Sequence, residues 1–284
     1  MSEIQIIVDS GGTKSDWMLR INGLWQAIVS LEGYNPWQSN EIILERIVQN
    51  LLVQHPESVD ATRLIYYGSG CGNEKNKSLI RRILSEHFQK AAISVYSDLM
   101  AAAHALFGKD QGIACILGTG SNSGYYDGES ILSSPPSLGF LLGDEGSGAW
   151  IGKTLAQLHF RKQMPVELSE KFASSYALNL QDFLNAVYHQ NLTASFFARF
   201  VYFAIENRQH KWITEMLFDA FNSFVQFNIK TLDGYQLHSI GFVGSVAFQF
   251  QDIIRQVLAI EGLKATGFLK KPADALMAYH EKSL

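Results

Sequence analysis

A glycine-rich segment near the start of the chain, residues 9–14 with the sequence Asp-Ser-Gly-Gly-Thr-Lys, constrains the fold more than any other feature. It separates two apolar runs, 4–8 and 17–19, a pattern typical of two strands joined by a tight turn. Adjacent glycines accept positive φ and let a ligand approach the backbone, whose N–H groups can then face a phosphate. At the strand end, Asp9 is placed to hold a metal ion through water. The alternative is a plain hairpin with a Gly-Gly turn.

The composition predicts a globular protein. The chain has 284 residues, of which 47% are hydrophobic and 18% charged, enough for two domains. Its net charge of −4 indicates no basic face, so nucleic acid is not an expected partner. No apolar run approaches the roughly 20 residues of a membrane-spanning helix. Because no signal-like segment opens the sequence, we expect a cytoplasmic protein without a membrane partner.

The two cysteines, Cys71 and Cys115, do not suggest a disulfide framework. A zinc site or an iron–sulfur cluster within one chain needs more thiolate or histidine ligands than these. We therefore expect both to be buried thiols.

Hydrophobic periodicity predicts alternating strands and helices in the first hundred residues. The predicted strands are 4–9, 16–21, 25–31, 63–67 and 92–96, and the predicted helices are 40–54, 77–88 and 99–107. A similar order restarts after a turn near 108–112. The later predicted strands are 113–117, 123–126, 131–133, 239–243 and 265–269, and the helical segments are 150–160, 168–232, 246–260 and 273–280.

Two further glycine turns follow predicted strands. Residues 118–122 read Gly-Thr-Gly-Ser-Asn, and their place in the second half matches that of the first turn. Residues 241–245 read Gly-Phe-Val-Gly-Ser and open a helix, a geometry suited to a nucleotide or to an ordinary strand-to-helix turn. Neither is a Walker motif.

Two acidic residues are candidates for chemistry. Asp98 follows a strand and begins a helix, so it is either an N-cap or a general base that accepts a hydroxyl proton. Asp144 lies among the glycines of 143–148, where it could hold sugar hydroxyls or the metal shell, or belong to an acidic helix start.

A loop after the third strand offers groups that bind polyols. Asn35 carries both a donor and an acceptor, and Trp37 presents a flat apolar face. The alternative is an ordinary turn. The amide of Asn122 has the same donor and acceptor character.

Together these motifs resemble the N-acetylglucosamine kinase branch of the actin/hexokinase/Hsp70 ATPase superfamily, a group that includes the BadF/BadG/BcrA/BcrD ATPases. The resemblance runs from residue 4 to about 280 and keeps the family's motif order. It rests on segments 9–14, 97–98, 118–122, 143–147 and 241–245.

The resemblance implies an α/β fold of two ribonuclease H-like domains, the actin-like ATPase fold, with ATP in the cleft between them. The domains would be 1–109 and 110–270, the second with a helical insertion, and 271–284 would pack back on the first. It implies an ATP-dependent kinase that phosphorylates the 6-hydroxyl of an amino sugar such as N-acetylglucosamine, with ATP and Mg²⁺ as cofactors.

The family pattern also implies residue roles. Asp98 would be the general base, and Asp9 would support Mg²⁺. Residues implied to bind ATP are Gly11, Gly12, Thr13, Lys14, Gly118, Thr119, Gly120, Gly244 and Ser245. Residues implied to bind the sugar are Asn35, Trp37, Ser121, Asn122 and Asp144.

One departure concerns sugar choice. Family amino-sugar kinases often carry Gly-Trp-Gly where this chain has Ser137-Leu138-Gly139, so the acceptor sugar stays open. Two other functions are alternatives: an ATPase of the BadF/BadG type acting on a protein partner, and a sugar sensor without catalysis. A homodimer is a further expectation, because relatives are often dimers and the Phe-rich helices near 193–228 offer an interface or a core.

Overall fold

The structure, a computed structural model, describes residues 3–177, 179–189 and 193–281. Parts of the predicted segments 168–232 and 271–284 lie outside the described residues, namely 178, 190–192 and 282–284, as do residues 1–2. The strands are β1 (Ile4–Ser10), β2 (Lys14–Ile21), β3 (Leu24–Glu32), β4 (Arg63–Gly68), β5 (Ala92–Ser97), β6 (Gly112–Leu117), β7 (Ser121–Tyr126), β8 (Ile131–Ser133), β9 (Ile240–Val243) and β10 (Ala265–Leu269). The helices are α1 (Glu41–Gln54), α2 (Glu74–His87), α3 (Asp98–Phe107), α4 (Gly139–Leu142), α5 (Gly148–Phe160), α6 (Val166–Tyr176), α7 (Leu180–His189), α8 (Ala194–Ala198), α9 (Val201–Glu206), α10 (Lys211–Phe224), α11 (Ser245–Gln249), α12 (Gln251–Ile260) and α13 (Ala273–Glu281).

The first of two compact units contains the residues up to Asp110 and those from Lys271 onward. Its five-stranded sheet has the order β3-β2-β1-β4-β5. Strands β1 to β3 form antiparallel hairpins, whereas β4 and β5 run parallel to β1. The carboxyl ends of β1, β4 and β5 therefore share one edge, which is where open α/β sheets bind ligands.

The two faces of this sheet have separate cores. One face packs against α1 and α2. On the other, Ile7 of β1 packs in a cluster with Ala101 of α3 and Leu276 of α13. Side chains alternate along a strand, so Asp9, two residues after Ile7, lies on the α3–α13 face together with its register partner Asp16.

The second unit, Gln111–Lys270, has a sheet in the order β10-β9-β6-β7-β8. Three antiparallel strands are again followed by two parallel ones, β9 and β10, so the arrangement repeats that of the first sheet. Its core is rich in phenylalanine from the helices between β8 and β9. Within the described ranges, no helix has both the length and the apolar character needed to cross a bilayer.

Most predicted elements are present, but several boundaries differ, and the predicted helical segment 168–232 is divided among α6 to α10. The predicted helix 246–260 is two helices, because the chain breaks at the buried Phe250, whose ring packs 5.9 Å from that of Phe221. Helix α2 begins at Glu74 rather than at 77, since the Asn73 side chain accepts a hydrogen bond from the Asn76 N–H and caps it.

Helix α13 is tied to the first sheet by a buried cluster of aromatic and imidazole groups. Tyr67 Oη lies 2.7 Å from His104 Nδ1 and 3.0 Å from His280 Nε2. The His104 ring also stacks on Tyr279, with centroids 4.2 Å apart. Burial lowers the pKa of both imidazoles to about 4, and His104 and Arg63 add to the effect on His280. Both rings are therefore neutral at pH 7.

We expect His280→Gln to weaken the dependence of stability on acid pH. Each folded-state pKa of about 4 lies below the ordinary value of 6.5, so the unfolded chain binds more protons between them. The contribution of each ring is complete above pH 6.5 and is lost as the pH falls towards 4, by roughly 2 kcal/mol at pH 5. Urea unfolding at about pH 7.5 and about pH 5 measures the difference. An equal loss of unfolding free energy between the two pH values in the wild type and in His280→Gln would contradict this prediction.

Candidate active site

The first glycine turn is the apex of the β1–β2 hairpin. Gly11 N–H donates to the Lys14 carbonyl at 2.9 Å and closes the turn, leaving Gly12 and Thr13 exposed. Gly33 packs directly beneath: a Cβ at this position would lie 2.2 Å from the Gly11 oxygen and 2.4 Å from the Lys14 nitrogen. The segment is thus the tight turn between two strands that both interpretations predicted. Phosphate binding by its exposed backbone stays a prediction.

Carboxylates gather beside this turn. Asp9 is half-buried and pairs in register with Asp16. Burial raises the pKa of Asp9 to about 7, and the charges of Asp16 and Asp98 act in the same direction, opposed by Lys271. The ionised form of Asp9 is therefore costly in the protein alone, and a bound cation would stabilise it.

Asp98 is the first residue of α3, at the carboxyl edge of the same sheet. It is not the N-cap: the Ser97 side chain accepts from the Met100 N–H at 3.3 Å and caps the helix. Asp98 Oδ1 accepts from the Leu99 N–H at 2.8 Å. Burial raises the pKa of Asp98 to about 6, against hydrogen bonds from Leu99 and the Ser69 side chain that lower it. A carboxylate with this pKa can accept a proton near neutral pH.

The loop at 35–37 packs on the turn that carries Ser69. Gly70 has a φ of +76°, and a Cβ here would lie 2.5 Å from Asn35 Oδ1 and 3.0 Å from Trp37 Cδ1. The Ser69 N–H donates to the Ser10 carbonyl at 2.8 Å, which joins this turn to the end of β1. Trp37 is 72% exposed. The first unit thus brings Asn35 and Trp37 close to the first glycine turn and to the neighbour of Asp98.

The second glycine turn, 118–120, is held by the start of α5. The Gly148 N–H donates to the Gly118 carbonyl at 2.8 Å, and the Ala149 N–H to the Thr119 carbonyl at 3.0 Å. Ser147 caps the helix by accepting from the Trp150 N–H. The first amide groups of α5 therefore position the turn instead of facing a ligand.

The sequence predicts that Ser121 and Asn122 belong to the turn 118–122, and this is wrong. Both residues lie in β7, because Ser121 already pairs in register with Leu117. The Ser121 hydroxyl is buried without a hydrogen-bond partner. Asn122 is half-buried, and its Oδ1 accepts from the Ser123 N–H at 2.9 Å. Their contact with sugar remains a prediction.

Asp144 packs on the second glycine turn. Its φ is +61°, and a Cβ on Gly120 would lie 2.8 Å from its Oδ2. Burial lowers the pKa of Lys153, and the charges of Asp144 and Glu145 oppose that shift. Lys153 Nζ also donates to the Phe140 carbonyl at 2.8 Å, which fixes the short α4 segment beside this turn.

The third glycine turn approaches the second by its backbone. Gly244 has a φ of +124°, and a Cβ on it would lie 2.2 Å from the Leu117 oxygen. Its N–H donates to the Leu269 carbonyl at 2.9 Å, and Ser245 is exposed at the start of α11. The second unit thus places the Gly118 and Gly244 turns together.

A solved structure from Porphyromonas gingivalis, provisionally named an N-acetylglucosamine kinase, is 31% identical to this chain. The match covers 98% of each chain with a TM-score of 0.92. The chain belongs to the N-acetylglucosamine kinase and BadF/BadG/BcrA/BcrD ATPase family.

Two more distant structures support only the assignment of the fold. A provisionally named N-acetylglucosamine kinase from Chromobacterium violaceum matches 98% of each chain at 18% identity, with a TM-score of 0.77. A non-polymerising mutant of MamK bound to AMPPNP matches 96% of each chain at 12% identity, with a TM-score of 0.53. The fold is that of actin-like ATPases. Sequence models of protein families gave no match, and neither did a search of curated proteins.

The residues of this family member fit a magnesium ion carried by a nucleotide. No group of three or more His, Cys, Asp or Glu residues among those described could hold a metal ion alone. Mg²⁺ is usually bound by one or two carboxylates together with substrate phosphates. Asp9 at the end of β1 can supply such a carboxylate, and a bound cation would stabilise its ionised form, which burial and neighbouring carboxylates disfavour.

Sequence reasoning missed three residues that the structure places at these turns. Ser69 bonds Asp98, Lys153 anchors α4, and Gly33 supports the first turn. Helical spacing from Trp150 could have pointed to Lys153. Nothing in the local sequence indicates the other two contacts.

Proposed function

We propose that the chain is an ATP-dependent kinase that phosphorylates the 6-hydroxyl of an amino sugar such as N-acetylglucosamine. The observation that carries this proposal is the position of Asp98. Its carboxylate lies at the carboxyl edge of the first sheet, bonded to Leu99 and Ser69 and near Asp9, with a pKa raised to about 6.

In the first unit, Asp98 would accept the proton of the 6-hydroxyl. The sugar oxygen then forms a bond to the γ-phosphorus, while the bond from that phosphorus to the oxygen of the departing ADP breaks. Gly11, Gly12, Thr13 and Lys14 would form the phosphate-binding turn, in which Gly11 closes the turn and the exposed residues after it supply the donors. Asn35 would hydrogen-bond sugar hydroxyls, and the exposed face of Trp37 would pack on the sugar ring. Support comes from their clustering around the 10–12 and 69–70 turns.

In the second unit, Gly118, Thr119 and Gly120 would bind phosphate, and Gly244 with Ser245 would lie by the adenosine. Asp144, Ser121 and Asn122 would hold the sugar. The close approach of the Gly118 and Gly244 turns, and of Asp144 to Gly120, supports this grouping.

Mg²⁺, when bound with ATP, neutralises phosphate charge and so favours nucleophilic attack. Asp9 is the residue proposed to hold it through water. Nucleotide use is supported by the actin-like ATPase fold, since the MamK structure of that fold is bound to AMPPNP.

The partner-driving ATPase is the weaker candidate. The resemblance to ATPases of that type implies a metal cluster held between subunits by cysteines. Cys71 and Cys115 are both fully buried. Burial raises the pKa of the Cys71 thiol to about 12 and also raises the pKa of the Cys115 thiol. Neither thiol is available to ligate a cluster shared with a second subunit.

A coupled ADP-release assay tests the kinase function. The panel comprises N-acetylglucosamine, N-acetylmuramic acid, glucosamine and no sugar, each with Mg²⁺ and ATP. We expect ADP release to depend on one of the amino sugars, and mass spectrometry to find its phosphate ester. Release that is equally fast without sugar would support the ATPase alternative and contradict the kinase.

A further inference from the structure

Lys271, just before α13, reaches the carboxylates under the first glycine turn. Its Nζ donates to Asp16 Oδ2 at 2.7 Å. The other oxygen of Asp16 accepts from Ser30 Oγ at 2.5 Å, and Lys14 Nζ lies 3.9 Å away. Asp16 is only 5% exposed, whereas half of the Lys271 side chain is exposed. Both oxygens of a buried carboxylate are thus engaged.

This ion pair lies beside the proposed magnesium residue. Asp16 is the register partner of Asp9, and like charges directly opposite each other across two strands repel. Two neighbouring carboxylates are also a ready ligand pair for a divalent cation, which prefers carboxylate oxygens. The Lys271 ammonium is close enough for its charge to act on Asp9 as well as on Asp16.

Resting on the proposed kinase function, we propose that Lys271 is a positioning residue that acts as a built-in counter-cation. By holding Asp16, it prevents the Asp9–Asp16 pair from capturing a divalent cation without nucleotide. Asp9 is then the member of the pair left for the metal that arrives with ATP.

A purely structural role predicts something different. The half-buried Trp25 donates from Nε1 to Glu281 at 2.6 Å and also ties α13 to the first sheet. In the β2–β3 hairpin Trp25 pairs with Arg20, whereas Asp16 pairs with Ser30. If Lys271 only anchored the chain end, its loss would resemble the loss of this bond. Trp25→Phe therefore serves as a matched control.

The test compares binding of Mn²⁺ alone, by electron paramagnetic resonance, in the wild type, Lys271→Met, Lys271→Arg, Asp16→Asn/Lys271→Met and Trp25→Phe. We expect Lys271→Met to bind Mn²⁺ about tenfold more tightly than the wild type, because a competing charge is removed and an oxygen is freed. The arginine variant, the double variant and the control should stay within about threefold of the wild type. Circular dichroism checks that each variant is folded.

Activity separates this inference from the kinase proposal. We expect the Lys271→Met kcat to fall about tenfold and to recover in the double variant, which lacks the second carboxylate. Unchanged Mn²⁺ affinity in Lys271→Met, or equal effects in Trp25→Phe, would overturn the role of Lys271 while the kinase function stood. A wild type without sugar-dependent ADP release would instead overturn the kinase function.

Discussion

Replacing Asp98 with asparagine is expected to lower kcat by roughly 10²–10⁴, the usual contribution of a general base. Asparagine keeps the shape of the side chain and an oxygen that can accept from the Leu99 N–H, so α3 should still begin at the same place. What is lost is the negative charge that we propose accepts the hydroxyl proton. The coupled ADP-release assay measures kcat, and calorimetry with Mg²⁺·ADP measures nucleotide affinity, which we expect to change less than about threefold.

The control for this variant is Asp60→Asn. Asp60 is an exposed carboxylate of the same unit that pairs with Lys90 at 2.5 Å, and surface pairs of this kind contribute little. It should leave kcat unchanged. A near-normal kcat in Asp98→Asn would remove Asp98 from the reaction, and a parallel loss of Mg²⁺·ADP affinity would mean that the residue shapes the nucleotide site instead.

The strands and turns around Asp98 show which structural features the sequence could predict. Strand β1 and its turn were predictable because apolar alternation and adjacent glycines are local signals. The repetition of strand, glycine turn and strand after residue 112 predicted the second sheet for the same reason. Both signals depend only on neighbours in the chain.

Contacts between distant segments could not be predicted in this way. Lys271 and Asp16 are separated by 255 positions, and nothing near either residue indicates a partner. The break at Phe250 arises from packing against Phe221, which overrides the helical preference of the segment. Ser97 displaced Asp98 as the cap of α3, because adjacent residues that can both cap a helix are distinguished only by backbone geometry.

Gly33 is one such distant contact, and Gly33→Ala is expected to destabilise the fold by about 3 kcal/mol, the upper range of overpacking. The added Cβ would lie 2.2 Å from the Gly11 oxygen, 2.4 Å from the Lys14 nitrogen and 2.7 Å from the Thr13 carbonyl carbon. These are backbone atoms, so the turn itself must move. If the turn binds phosphate as proposed, we also expect Mg²⁺·ADP affinity to fall at least about tenfold, because its N–H groups are displaced.

Gly72→Ala provides the matched control within the same unit. A Cβ at Gly72 meets nothing within 4 Å, and its φ is not in the left-handed region, so the same chemical change adds no contact. Urea unfolding and calorimetry on both variants separate steric displacement from the general effect of adding a methyl group. If Gly33→Ala lost stability but bound Mg²⁺·ADP as tightly as Gly72→Ala, the 11–14 turn would not be a phosphate-binding element, because a turn forced to move would have left nucleotide affinity untouched.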